Sequence, residues 1–168
     1  LFINGKSYGK QSKNNSSLKS RYRLMWMDAV YEPGEVKVVA YNKDGKAVAE
    51  KTVRTAGKPH HIELVSNRNE LTADGKDLAY VTVKVVDKDG NLCPTDSRLI
   101  HFSVKGAGKF RAVANGDPTN LEQFHLPKMH AFHGMLTAIV QAGEIAGDLV
   151  LTAKASGVKT GTVHLQAK

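Results

Sequence analysis

Seven histidines and a scatter of loop carboxylates are the residues whose types could do chemistry. His125, His130 and His133 fall within nine residues, and His60 and His61 are adjacent. A zinc site needs converging ligands, ordinarily at short fixed spacings with cysteine or carboxylate partners. These spacings match no such pattern. The one cysteine, Cys93, read as exposed, lies 32 residues from His125. The histidines therefore read as residues of loops and strand edges, with no metal and no cofactor expected. Asp117, Glu122 and Glu144 lie in or near predicted loops, but glycosidase chemistry needs two carboxylates about 5–10 Å apart across a cleft. No Gly-x-Ser-x-Gly elbow occurs, and Gly106-Ala107-Gly108 lies between two strand-like runs instead of ahead of a helix. Neither a serine hydrolase nor a phosphate-binding loop is expected. No catalytic residue is assigned.

Aromatic residues offer a second kind of chemistry, since an exposed ring stacks on a sugar. Tyr22 and Trp26 fall on one face of a predicted strand, "YRLMWM" at 22–27. With Leu24 between them the better reading is core packing. Phe124 lies in the connection "NGDPTNLEQFHLPKMH" (115–130), which Asn115 and Asp117 open. Long ordered connections often carry function. Trp26, Tyr22, Asn115, Asp117 and Phe124 are thus the candidate ligand or interdomain contacts.

The elements that would position these residues are strands. Asn4-Gly5 sits between two short half-apolar runs, a strong hairpin signal. Runs at 22–27, 36–41 and 47–55 follow, with turn chemistry at 32–34 and 42–45. This leaves no room for a helix of any length. Ala56-Gly57-Lys58-Pro59 breaks the pattern and reads as a domain joint. Period-2 runs resume at 61–66, 79–87, 98–106, 109–114, 131–142, 148–156 and 161–168. Gly134 predicts a bulge within the 131–142 strand. "VKVVAYNKDGKAV" (36–48) and "VKVVDKDGNLC" (83–93) repeat one hairpin, with valine inward, Lys37 and Lys84 outward, and Asp-Gly in the turn. The reading is all-β: two tandem antiparallel β-sandwich modules of immunoglobulin-like type, 1–57 small or truncated and 58–168 full.

Bulk properties narrow the classes. The chain has 168 residues, 41% of them hydrophobic, with net charge +8. No run of about eighteen apolar residues predicts a membrane span. Six basic and no acidic residues lie between Lys6 and Arg23. That stretch lacks interleaved aromatics for stacking bases, so it reads as a solvated basic loop with no nucleic-acid partner. A lone cysteine makes no internal disulfide. The chain opens with Leu and shows no leader pattern, which reads as a piece of something longer.

These residues also resemble a family. Leu1-Phe2, residues 4–7, Gly9, Trp26, residues 33–35 and residues 53–57 resemble the small immunoglobulin-like domain behind the catalytic barrel of family 2 glycoside hydrolases, the β-galactosidases of Bacteroides-like bacteria. On this resemblance the first module lacks its first strand. Residues 73–78, 80–83, 85–91, Pro94, residues 115–119, and Ala131, Phe132 and Gly134 resemble the invasin/intimin-like sandwich that follows it. The resemblance implies a non-catalytic C-terminal accessory region. The parent would be a retaining glycosidase whose two glutamates lie on a barrel that this chain lacks. It implies the barrel and sibling domains as partners and a periplasmic or secreted location. Two other functions fit the same modules: a carbohydrate-binding module for galactosides or polysaccharide, and an adhesin-type spacer.

Overall fold

Strands joined by turns and loops build nearly everything in the computed structural model, which describes residues 1–168. The chain divides into two compact units, Leu1–Thr55 and Ala56–Lys168.

In the first unit, β1 (Phe2–Ile3) and β2 (Lys6–Ser7) form a hairpin. Asn4 and Gly5 both take positive φ, 47° and 80°, which gives the turn the twist of the strands it joins. The Asn4 amide then reaches across: Oδ1 accepts from Glu35 N at 2.7 Å, and Nδ2 donates to Pro33 O at 3.1 Å. This fixes β3 (Glu35–Tyr41) beside β1, and β4 (Ala47–Arg54) completes an antiparallel sheet of order β2-β1-β3-β4. The unit has this one sheet. Ile3 is its one buried hydrophobic residue; Val36 and Val39 are half-buried, and Val38, Val48 and Val53 are exposed. The inward valine face expected at 36–40 is therefore not buried in this unit.

The predicted strand at 22–27 does not form. Residues Leu18–Tyr22 make a short helix, α1, and 23–26 are irregular. The cause is local. Asn14 accepts from Ser16 N through Oδ1 (2.9 Å) and from Ser17 N and Ser20 Oγ through its carbonyl. Asn and Ser side chains divert backbone from ladder to turn in this way. The alternation in "YRLMWM" pairs with neither free edge of the sheet, β2 or β4.

The second unit is a two-sheet sandwich. One sheet runs β5 (His61–Ser66), β7 (Leu78–Val86), β11 (Met135–Ala142), β9 (Gly108–Ala114). The other runs β10 (Lys128–His130), β8 (Leu99–Gly106), β12 (Gly147–Lys154), β13 (Gly161–Ala167), β6 (Glu70–Leu71). All pairs are antiparallel except β6 with β13. Val81, Val83, Val85 and Val140 from one sheet meet Ile100, Leu149, Leu151 and Met129 from the other, all essentially inaccessible. At the corner between β8 and β9 the chain passes from one sheet to the other. A Cβ on Gly106 would lie 2.0 Å from Asp148 O, so only glycine fits.

The bulge expected at Gly134 lies elsewhere. Phe132 and Met135 exchange backbone bonds of 3.0 Å around His133 (φ 51°) and Gly134 (φ 73°), a tight hairpin turn. The real irregularity falls between Ile139 and Val140, where β9 carries Arg111 as an extra residue. Cys93, expected to be exposed, is buried at 3%.

Candidate functional site

The two sets of candidate contacts lie in different units. In the first unit, Trp26 and Leu24 help line a groove of about 790 Å³, together with Phe2, Val39 and Tyr41. The half-buried indole is pinned: Nε1 donates to Gly9 O at 3.3 Å. Gln11 Nε2 holds the same segment by donating to Met25 O at 2.6 Å. Lys10, Lys13 and Lys43 also line the groove, and Lys10 Nζ sits 5.3 Å from the Tyr41 ring centre, within cation–π range. No Asp or Glu lines it; Asp44 lies beside it, held by Asn42 Nδ2 at 3.3 Å. Tyr22 does not join this group. It ends α1, is 74% exposed, and lies with the Arg21 guanidinium 5.9 Å from its ring. The two aromatics placed on one strand face by the alternation are separated because that strand is absent.

In the second unit the connection after β9 is held by its own side chains. Asn115 Oδ1 accepts from Asp117 N at 3.1 Å, and Nδ2 donates to His130 O at 3.0 Å. Asp117 Oδ1 accepts from Thr119 N (2.9 Å) and Thr119 Oγ1 (2.7 Å). The Thr119 amide, then its hydroxyl, hold the Asp117 carboxyl below its usual range. Burial pushes Glu122 up, but the His130 amide and ring, each 3.1 Å away, bring it net below. Phe124 is anchored through its carbonyl, which accepts from Val113 N at 2.8 Å, while the residue as a whole is 56% exposed. Leu121, 96% exposed, stands at the same tip. Asn115 and Asp117 are thus brought together as turn formers. Both loop carboxylates already have partners. The last three residues expected in the loop form β10 instead, paired with β8.

The most strongly held carboxylate was not singled out from sequence. Asp87, 2% exposed, accepts from Gly57 N (2.8 Å), Asp89 N (2.9 Å), Asn91 N (2.9 Å) and Asn91 Nδ2 (3.0 Å). The Gly57 amide and then the Asn91 side chain drive its pKa far below the usual carboxylate range. The signal was the Asp-x-Asp-Gly-Asn spacing of the turn, which seats a carboxylate over consecutive N–H groups. Its long-range partner, Gly57, leaves no trace in sequence. No group of three or more His, Cys, Asp and Glu side chains is arranged to hold a metal.

Residues 62–164 match the family described as glycoside hydrolase family 2 C-terminal domain 5. Residues 1–49 match a family described as a domain of unknown function, DUF4982. The whole chain is 42% identical to 19% of the β-galactosidase BoGH2A of Bacteroides ovatus, so it spans about a fifth of that relative's length. Among solved structures, a glycosyl hydrolase family 2 member from Bacteroides cellulosilyticus has a TM-score of 0.85 at 32% identity, over 99% of this chain and 21% of that one. A β-glycosidase from Bacteroides vulgatus has a TM-score of 0.87 at 26% identity, over 99% and 20%.

Proposed function

Because the chain belongs to the glycoside hydrolase family 2 C-terminal domain 5 family through residues 62–164, we propose that it is the non-catalytic accessory region of a longer β-galactosidase-like glycoside hydrolase. It supports a catalytic barrel that lies outside these residues and works in carbohydrate degradation. The observation that carries this reading is full-length likeness to only a fifth of a β-galactosidase. The two modules, 1–57 and 58–168, follow one another in the chain, joined through residues 56–59. The enzyme acts in the periplasm or outside the cell; no helix here is long and apolar enough to cross a membrane.

The surface of the first unit supports a docking role. Of fifteen exposed large hydrophobic residues, ten lie between Leu18 and Val53, among them Met27 (79%), Val30 (69%) and Tyr31 (70%). Apolar exposure concentrated in one small unit is what a region covered by another body shows, and the catalytic portion of the parent chain is that body at Met27, Val30 and Tyr31. The direct test is hydrolysis of a nitrophenyl galactoside. The 168-residue chain is expected to give none, and the full-length parent saturable turnover. Saturable turnover by the chain alone, abolished by a point mutation within it, overturns the proposal.

A further inference from the structure

We infer that the groove of the first unit binds an acidic saccharide, a uronic-acid oligosaccharide, with Trp26 and Tyr41 against the sugar rings and Lys10, Lys13 and Lys43 on its carboxylates. This goes beyond the supporting role and does not depend on it; Tyr41, one of the ten exposed residues, is taken by the saccharide and not by the catalytic portion.

Three observations converge on this ligand class. The groove, about 790 Å³, is of the size that small-molecule sites take. Its aromatic surface is held in place before any ligand arrives. Trp26 has its one N–H committed to Gly9 O, so the indole offers an apolar face and no competing donor. A ring already fixed loses little freedom on binding. The Lys10 ammonium lies over the ring of Tyr41, which is 44% exposed, so a carboxylate drawn to Lys10 is brought to the aromatic surface.

The charge is the third observation. Residues 1–55 contain eleven Lys and Arg against five Asp and Glu, and no carboxylate lines the groove. A cleft lined by one sign of charge draws the opposite ion. The side-chain cations of the lining are all lysines. Arginine, whose planar fork is the preferred match for phosphate and nucleic acid, is absent from the lining. Spaced ammonium groups beside two rings suit carboxylates borne on successive sugars better than a phosphodiester backbone.

The test is calorimetric titration of the 168-residue chain with trigalacturonate, with neutral galactotriose and with a short single-stranded dT oligonucleotide. Saturable binding of trigalacturonate is expected, with galactotriose at least about tenfold weaker and the oligonucleotide no tighter than galactotriose. Tyr41→Ala and Lys10→Gln are each expected to weaken trigalacturonate about fivefold, the scale of one ring contact or one cation. Lys51→Gln, on β4 outside the groove, should leave it unchanged. Lys10 is exposed, so its variant reports binding even if Tyr41→Ala disturbs the fold. Equal affinity for galactotriose or the oligonucleotide overturns the inference. So does equal weakening by Lys51→Gln and Lys10→Gln, or no saturation at millimolar trigalacturonate.

Discussion

Asp87 and Gly134 show how much a single position does in the second unit. Asp87 ties the β7 turn to Gly57 through one carboxylate with four N–H donors. Its native pKa is depressed, so its stabilising contribution is full above the ordinary aspartate value of about 3.9. It declines as pH falls below that value toward the native one. Asp87→Asn is expected to lower the melting temperature by about 5 °C at pH 7. The gap from the unsubstituted chain should narrow steadily in acid; a gap constant from pH 7 to pH 2 contradicts the assignment. Gly134 is constrained by shape. Its φ is 73°, and a Cβ there would lie 2.3 Å from Cys93 O. Gly134→Ala is expected to cost about 2 kcal/mol or more in chemical denaturation, since strained backbone and a backbone clash add.

At the scale of elements, the period-2 signal located the long strands of the second unit to within a residue or two, except β11, which starts at Met135 and not at 131 because the His133-Gly134 turn takes up the residues before it. β7, β8, β12 and β13 are long enough that alternation must be satisfied by a core, and their inward residues are buried. The pattern failed where an element owes its form to a neighbour. β6 and β10 have two and three residues and exist because β13 and β8 offer edges. At 22–27 alternation was present but the segment pairs with neither free sheet edge, and Asn14 bonding to Ser16, Ser17 and Ser20 turns the chain into α1 just before it. The two copies of the valine hairpin differ for the same reason. Val81, Val83 and Val85 face a second sheet and are inaccessible, while Val38 is 39% exposed. Leu151→Ala should therefore cost about 3 kcal/mol. Val48→Ala on β4, 62% exposed, should stay within about 0.5 kcal/mol. Urea melts of the two variants compare these directly.

At the scale of the molecule, apolar exposure in the first unit and a closed core in the second describe two different dependencies. The second unit buries a core large enough to stand alone. The first buries one hydrophobic residue and leaves ten large ones exposed. If the parent chain covers that face, Met27→Asp should lower the melting temperature of the full-length parent by several degrees. The same change should leave the isolated 168-residue chain within about a degree, because Met27 is already in water there. Scanning calorimetry on both proteins separates the two outcomes, and equal effects on both argue against a covered face.

The sequence by itself determined the all-β class, the sandwich strands of the second unit, the Asn4-Gly5 hairpin and the family likeness. Alternation, turn chemistry and residue order are local properties that a chain carries wherever it goes. Only the tertiary structure decided that Tyr22 and Trp26 part company, that Trp26 lines a lysine-rimmed groove with Tyr41, that Cys93 is buried and that Asp87 reaches Gly57. Each of these depends on residues far apart in the chain meeting in space. Separation along the chain, 15 residues from Trp26 to Tyr41 and 30 from Gly57 to Asp87, leaves no periodicity from which such a meeting could be read.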